Sequence, residues 1–295
     1  MTTAEIEAGG VESRESTATR MVRYLSKAPV YLVLVFLGLL WLVPTIGLFF
    51  TSLLDSSVVG RVGWWEIFST PSLGTLENYG EILDNDAITS ALLTTLWVSI
   101  GSTILPIFLA ALAAYAFAWL EFPGRDWLFL VVVALLVVPI QMALIPIFSL
   151  YNDLGLFDTI AGLILFHTAF GLPFAIFLLR NFFIGIPRDL LEAARIDGAS
   201  EMRIFFRLIL PLGLPAIASL AIFQFLWVWN DLLVALTFAR DTQPITVAIF
   251  SQLRQFSANL EIIAPAAFVS LAIPLVVFFA FQRYFVEGLL AGSVK

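Results

Sequence analysis

Six long runs of apolar residues constrain this chain more than any other feature of its sequence. A helix that spans a bilayer needs about 20 mainly apolar residues, and six segments meet that length: 29–50, 90–119, 127–150, 159–179, 209–234 and 264–285. Apolar residues make up 60% of the 295 residues and charged residues only 13%, against roughly 25% charged in a soluble domain. The sequence therefore predicts an all-α polytopic membrane protein with six transmembrane helices.

The distribution of lysine and arginine predicts how these spans are oriented. Cytoplasmic loops of membrane proteins carry an excess of basic residues. With both termini cytoplasmic, only Arg61, Arg240 and Arg254 of the 15 basic residues lie outside. We therefore predict a disordered cytoplasmic tail over residues 1–27 and a six-helix membrane domain over residues 28–295.

Residue types that are missing or rare exclude several kinds of chemistry. The sequence has no cysteine, and His167 is its only histidine, so thiol catalysis and cysteine-rich or histidine-rich metal sites are excluded. A phosphate-binding loop needs Gly-Lys followed by Ser or Thr, and neither Lys27 nor Lys295 lies in such a motif. No basic block indicates nucleic acid. We expect no metal or cofactor in this chain, and any ATP that it uses to be bound by another chain.

The segment 181–208, between the fourth and fifth runs, carries the pattern most indicative of function. Pro187 suits the start of a helix, and Gly198 suits its end. Ser200 suits the cap of a second helix. We predict two short helices joined by a hard turn, a compact knob that can enter a cleft on another protein. Its candidate contact residues are Glu192, Ala193, Ala194, Arg195, Asp197, Gly198, Ala199 and Arg203.

This segment resembles the EAA loop in the permease subunits of bacterial ABC importers. The pattern is Glu192-Ala193-Ala194, then Gly198 after three residues, then Leu208-x-Leu210-Pro211 after nine, with Leu208 in place of the usual isoleucine. Four other segments look like the maltose-type sugar permeases: Phe122 to Arg125, Gly171 to Arg180, Trp229 to Asp231 and Gly288 to Lys295. With them, the resemblance covers about residues 28–295.

The resemblance implies a function and a set of partners. In this family the loop forms coupling helices that dock on a separate ATPase subunit, which binds ATP and Mg²⁺. Two permease subunits, here expected to form a heterodimer, pair with two ATPase copies, and an extracytoplasmic binding protein delivers the sugar. The resemblance thus implies a multi-pass carbohydrate-import subunit of the cytoplasmic (inner) membrane, in contact with lipid and without catalysis of its own.

Several polar residues in the predicted spans are candidates for the substrate path. Gln224, Trp227 and Asp231 lie at positions i, i+3 and i+7 and would share one helix face, with Asn230 beside them. An aromatic ring can stack on a sugar and an amide can bond its hydroxyls, but interfacial anchoring and helix–helix packing are equally compatible with these residues. Gln141 and His167, near the middle of their spans, have the same two interpretations: path lining or an interhelical hydrogen bond.

The outer segment 235–263 has Ile245, Ile249, Leu253 and Phe256 near helical spacing. This spacing predicts an amphipathic helix that lies on the membrane or on a partner, and the family resemblance implies contact with the binding protein.

Two other classes of membrane protein fit the sequence less well. A secondary transporter of a small polar solute would need ion-coupling carboxylates near the bilayer midplane, and no Asp or Glu occupies the centre of a predicted span. A membrane enzyme would need a convergent polar site, for which one histidine and few intramembrane acids provide little material.

Overall fold

The computed structural model describes residues 17–255 and 259–291, which are largely helical and contain no β-strand. Within them, Leu54 and Gly74 form an isolated antiparallel bridge. The helices in chain order are α1 (Thr17–Ser52), α2 (Glu77–Asp84), α3 (Asp86–Trp119), α4 (Arg125–Leu135), α5 (Ile140–Leu154), α6 (Ile160–Ile184), α7 (Arg188–Ile196), α8 (Glu201–Ile204), α9 (Leu210–Leu212), α10 (Leu214–Trp229), α11 (Leu233–Phe238), α12 (Ile245–Gln255) and α13 (Leu260–Ala291), with 3₁₀ turns at Trp64–Phe68 and Pro71–Leu73 and a π-helical segment at Phe205–Ile209.

Four of the six predicted spans are single helices, and two are broken. α1, α3, α6 and α13 are each long and apolar enough to cross a membrane. The third predicted span is divided into α4 and α5, which meet at 98°, and the fifth is divided into Glu201–Leu212 and Leu214–Trp229, which meet at 72°. Six spans result when each bent pair counts as one. We call the end of the bundle that carries α7 the inner end, and the end that carries α2 the outer end.

Pro139 explains why the third span is not the one continuous helix that the sequence suggests. Its backbone is extended, with φ −66° and ψ 130°. Proline has no N–H to donate to the preceding turn, and it disfavours helical geometry in the residue before it. Pro106 and Pro173, by contrast, lie inside α3 and α6 and are buried there, because neighbouring helices can satisfy the backbone groups that a proline frees.

The α3–α6 pair forms the centre of the bundle. Ala110 and Ala114 of α3 have no exposed surface and share one buried cluster with Ala175 and Leu179 of α6. Small residues of this kind let two helix backbones approach closely. α10 packs on both α3 and α13, and Trp229 Nε1 donates to the carbonyl oxygen of Ser270 at 2.9 Å. The pair is therefore a well-packed frame of two unbroken helices to which the broken spans are attached.

α1 begins at Thr17, earlier than the boundary predicted for the disordered tail. Residues 17–27 contain no glycine or proline, and adding residues to an existing helix is easier than starting one, so the apolar helix extends into this polar segment. Residues 1–16 of the predicted tail lie outside the described residues.

The outer end is built from short helices and a hydrogen-bonded loop. The amide of Asn78, in α2, donates to the carbonyl oxygens of Ser52 and Leu54 at 3.1 and 2.7 Å. The amphipathic helix predicted in segment 235–263 is present as α12. Its first residue, Ile245, is fully buried and its N–H donates to Thr95 Oγ1 at 2.7 Å, so α12 packs on its own chain. Phe256, which belonged to that prediction, lies outside the described residues.

Candidate functional site

The knob predicted between the fourth and fifth spans is present as α7 and the turn after it. Pro187 occupies the N-cap of α7, and Leu191 points into the core with no exposed surface. At the other end, the Gly198 N–H donates to the Arg195 carbonyl and the Ala199 N–H to the Ala194 carbonyl, both at 3.0 Å. This pair of bonds is the Schellman motif, which satisfies the last carbonyls of a helix.

Gly198 is required by the geometry of that turn. Its φ is 78°, in the left-handed region that costs other L-residues about 1–2 kcal/mol. A Cβ added there would meet no atom of the described residues within 4 Å, so the strain would come from the backbone and not from a clash. The turn therefore has a fixed backbone conformation, and no other described residue packs over Gly198.

The second predicted short helix is the start of a longer, bent one. Ser200 occupies the N-cap of α8, but within the described residues its hydroxyl makes no capping hydrogen bond. α8 continues through the π-helical segment and α9 to Gly213, where the chain bends into α10.

The candidate contact residues of the knob fall into an exposed group and an inward group. The exposed group comprises Glu192, Ala193, Asp197, Gly198 and Arg203. We call these residues, together with Ile196, of which 86% is exposed, the tip of the knob. Glu192 Oε1 lies 3.0 Å from Arg188 Nε, one turn earlier on the same exposed face. Ala194 and Ala199 are half-buried and pack on the α3–α6 core. Arg195 turns inward, away from the exposed tip.

Arg195 belongs to a polar cluster that fastens the knob to the inner end of α3. Its Nε donates to Glu201 Oε1 at 2.9 Å, and its Nη2 lies 3.4 Å from Glu201 Oε2 and 3.5 Å from the Trp119 carbonyl oxygen. The Tyr115 hydroxyl donates to Glu201 Oε2. We call Arg195, Glu201, Tyr115 and the Trp119 carbonyl the inner clasp. The sequence does not reveal this cluster, because Tyr115 and Trp119 lie far from Arg195 and Glu201 in the chain.

A second cluster, also missed from the sequence, joins two loops at the outer end. The Asp158 carboxylate accepts hydrogen bonds from the N–H groups of Arg240, Asp241 and Thr242 at 2.8–3.1 Å. The Asp158 N–H donates to the Phe238 carbonyl at 2.9 Å. Partial burial acts to raise the pKa of Asp158, but these backbone donors outweigh it and hold the pKa below its usual value. We call this arrangement the outer clasp.

The candidate path residues are only partly brought together. A cavity of about 340 Å³ lies between α6 and α10, and Gln224 and Trp227 line it with Phe170, Gly171, Phe174, Leu220 and Phe223. Gln224 is 5% exposed, and its Nε2 donates to the Ser102 carbonyl of α3 at 3.0 Å. A Cβ on Gly171 would lie only 2.6 Å from that Nε2, so the glycine makes room for the amide between the helices.

Asp231 does not share the helix face of Gln224 and Trp227, because α10 ends at Trp229. Its carboxylate instead accepts the N–H groups of Val234 and Ala235 at 3.3 and 2.9 Å, at the start of α11. His167 is 1% exposed; its Nε2 lies 3.7 Å from Asp231 Oδ2, and its ring makes an edge contact with Trp227 at 5.2 Å. His167 therefore stands behind the tryptophan that faces the cavity.

The two remaining candidates lie apart from the cavity lining. Gln141 is exposed at the start of α5, just after the break at Pro139. Asn230 is exposed, and its amide donates to the Leu226 carbonyl of the preceding turn at 2.7 Å. Among the described residues, no three His, Asp or Glu side chains are grouped so that they could hold a metal ion.

Comparison with known proteins places the chain in a family. Residues 106–290 match the family described as binding-protein-dependent transport system inner membrane component. An uptake permease for osmoprotective compounds from Synechocystis is 45% identical over 96% of this chain and 97% of its own length. An alpha-glucoside permease from Rhizobium meliloti is 52% identical over 77% of this chain and 62% of its own length, and a trehalose permease from Mycobacterium tuberculosis is 39% identical over 86% and 92%.

A solved structure shares the fold. The chain superposes on a bacterial ABC transporter involved in alginate import with a TM-score of 0.70 and 22% identity, over 92% of this chain and 98% of the other. The matched segment of the family includes both the knob and the cavity between α6 and α10. The protein is thus a multi-pass membrane permease that belongs to the family of binding-protein-dependent transport system inner membrane components.

Proposed function

We propose that this chain is one of two permease subunits of an ATP-driven importer of disaccharides or oligosaccharides in the inner membrane. The relatives named for alpha-glucosides and trehalose support the substrate class. A structural neighbour in complex with a substrate-bound periplasmic protein supports delivery of the sugar by a binding protein. The second subunit would complete the translocation path.

The observation that carries this proposal is the exposed tip of the knob. Ile196 is 86% exposed and adjoins the left-handed turn at Gly198, which no described residue covers. An apolar side chain held on a rigid turn suits a cleft on another protein, since buried apolar anchors dominate protein interfaces. The partner that we assign to this tip is the ATPase subunit. That subunit would bind ATP and Mg²⁺, because this chain has no phosphate-loop lysine.

The cavity between α6 and α10 is the part of the path that we assign to the sugar. Four aromatic rings, those of Phe170, Phe174, Phe223 and Trp227, surround a single amide, that of Gln224. Apolar walls with a few fixed polar groups are typical of sites that bind small molecules. His167 and Asp231 would not contact the sugar. His167 would fix the position of the Trp227 ring, and Asp231 would fix the chain at the end of α10.

The experiment compares two glycines with the same backbone conformation. Gly198 and Gly155 have φ values of 78° and 68°, and neither leaves a Cβ in contact with other described residues. Gly198→Asp should reduce co-purification of the ATPase at least about tenfold and abolish uptake of radiolabelled trehalose and maltose in cells. Gly155→Asp, with similar strain at the outer end, should leave co-purification unchanged.

Trp227→Ala separates the path from the docking site. It should reduce sugar uptake at least about tenfold while the ATPase still co-purifies normally, since the Trp227 ring lines the cavity and lies outside the knob. Equal co-purification of the ATPase with Gly198→Asp and with the parent chain would contradict the docking proposal. Normal sugar uptake by Trp227→Ala would show that the Trp227 side chain serves helix packing and does not bind the sugar.

A further inference from the structure

The inner clasp connects the knob to α3 by side chains that lie 86 residues apart in the sequence. Glu201 is its centre, because its Oε1 accepts from Arg195 and its Oε2 accepts from Tyr115 and, at 3.4 Å, from Arg195 as well. Hydrogen bonds to a charged group are shorter and about twice as strong as neutral ones. Tyr115 is 5% exposed, and its ring packs on Phe205 with the centroids 5.5 Å apart. The contact on the α3 side is therefore largely shielded from solvent.

The covalent route from the knob into the bundle is less direct. From Glu201 the chain passes through the π-helical segment Phe205–Ile209 and then turns by 72° at Gly213 before it enters α10. A π-helical segment interrupts the regular hydrogen-bond ladder, and glycine adopts several backbone conformations at little cost. A displacement of the knob can be absorbed at these two points before it reaches α10.

The route through the clasp crosses neither a π-helical segment nor a break between helices, and its one proline, Pro106 of α3, is buried inside a continuous helix. Tyr115 and Trp119 lie in the last turns of α3, a single helix from Asp86 to Trp119. α3 packs along α6, and Gln224 of α10 donates to the α3 backbone at Ser102 beside the cavity. Motion of α3 would therefore reach both the bundle centre and the cavity.

We propose that Glu201, Arg195 and Tyr115 are positioning residues that make the knob and α3 move as one body, so that the α3–α6 frame receives the displacement of the knob directly. This proposal rests on the proposed function, since the displacement would come from a partner ATPase. Glu201 and Tyr115 act inside the chain, and neither belongs to the exposed tip assigned to docking.

A pair of spin labels tests whether the knob and α3 move together. The sequence contains no cysteine, so Asp189→Cys in α7 and Ile104→Cys in α3 place two unique labels on this chain. Asp189 is exposed, Ile104 is 64% exposed, and neither belongs to the clasp or to the candidate docking residues. The complex is purified through this chain with its partner subunits, whose own cysteines are removed, and the label distance is measured with and without a non-hydrolysable ATP analogue.

The expected result is one narrow distance distribution that is the same with and without nucleotide. Adding Tyr115→Phe or Glu201→Gln should broaden the distribution and make it depend on nucleotide, and uptake of radiolabelled trehalose or maltose should fall about tenfold while ATPase co-purification stays within twofold. Tyr115→Phe removes one hydroxyl and keeps the ring, and Glu201→Gln keeps the size of the side chain but removes the charge that the strong hydrogen bonds require.

Tyr151→Phe is the matched control. Tyr151 is 6% exposed, and its hydroxyl donates to the Gly162 carbonyl at 2.9 Å, away from the knob. Both tyrosine variants lose a buried hydroxyl bond and should lower the melting temperature of the complex, but only Tyr115→Phe should alter the label distances. A purely structural role would change stability and leave the distances as they are in the parent.

Two kinds of outcome would overturn the proposal: the first leaves the docking proposal intact, and the second overturns the proposed function as well. If the ATPase co-purifies and the parent distance shifts with nucleotide, or if Tyr115→Phe and Glu201→Gln keep the narrow parent distribution, the knob and α3 are not joined by the clasp and docking stands. If no ATPase co-purifies with the parent chain, the proposed function fails and the clasp proposal fails with it.

Discussion

The two clasps hold the two ends of the bundle by different chemistry. At the inner end, Arg195, Glu201 and Tyr115 meet through their side chains, and the ion pair between the first two is about one-third to two-fifths exposed. At the outer end, one carboxylate, that of Asp158, accepts three consecutive backbone N–H groups. Asp158 itself has a φ of 57°, in a region where aspartate and asparagine are among the few residues other than glycine that occur readily.

This difference determines what a substitution can do at each end. The inner clasp needs particular side chains at three positions, so each of them can be removed separately. The outer clasp uses two side chains, that of Asp158 and that of Thr242, whose hydroxyl donates to the Asp158 carbonyl at 2.9 Å. Its other donors are backbone N–H groups, which every residue except proline offers. The outer clasp should therefore depend steeply on Asp158, weakly on Thr242 and hardly at all on the identities of Arg240 and Asp241.

The largest expected effect is the loss of the outer carboxylate. Asp158→Ala leaves three N–H donors without their acceptor and places alanine in a left-handed conformation, so the complex should lose about 2–3 kcal/mol of stability. Thermal unfolding followed by tryptophan fluorescence measures this loss. Asp158→Asn keeps an acceptor oxygen and tolerates the backbone conformation, so it should lose about half as much. Equal stability of Asp158→Ala and the parent would show that the loops are joined by packing alone.

A smaller effect is expected at the inner end, where two arginines serve as a matched pair. Arg195→Met should destabilise the complex by about 1 kcal/mol, because the Arg195–Glu201 pair is partly shielded and shares its carboxylate with Tyr115. Arg188→Met removes the partner of Glu192 from the same knob, but that pair is 70% and 54% exposed. It should change stability by less than about 0.5 kcal/mol. Similar melting temperatures for the two variants would mean that the partial burial of the inner clasp has no energetic consequence.

The smallest effect is a pH dependence confined to the outer clasp. Because the pKa of Asp158 is depressed in the folded protein, its contribution to stability is present above the ordinary aspartate pKa of about 3.9 and is lost as the pH falls through the folded-state value. The melting temperature of the parent should therefore fall more than that of Asp158→Asn when the pH is lowered below about 4. Parallel curves for the two proteins would contradict the depressed pKa.

Much of the inner end could be predicted from the sequence because its signals are local. Pro187 and Gly198 identify one helix and its end, and the structure confirms α7 and its left-handed glycine. Ser200 was predicted at the right position, yet its hydroxyl does not cap α8. The inward turn of Arg195 could not be predicted. The carboxylate that it binds, that of Glu201, is also held by Tyr115, and Arg195 itself approaches the Trp119 carbonyl; both of these residues belong to α3, far away in the chain.

The path residues show a different limit of sequence reasoning. Helical periodicity places Gln224 and Trp227 on one face, and both line the same cavity. The same periodicity fails for Asp231, because the helix ends two residues before it. The predicted span continues to residue 234, although the polar pair Asn230-Asp231 directly follows the last helical residue.

By itself the sequence determined that this chain is an all-α membrane protein, where its apolar runs lie and where its knob turns. These properties depend on apolar runs, on proline and on glycine, whose effects on the backbone are exerted within a few residues. Only the tertiary structure decided that Pro139 breaks a span while buried Pro106 and Pro173 do not, and that Glu201 and Asp158 fasten the two ends. The reason is physical: whether a proline is tolerated and whether a carboxylate finds its donors depend on which segments lie beside it, and in both clasps those segments are distant in sequence.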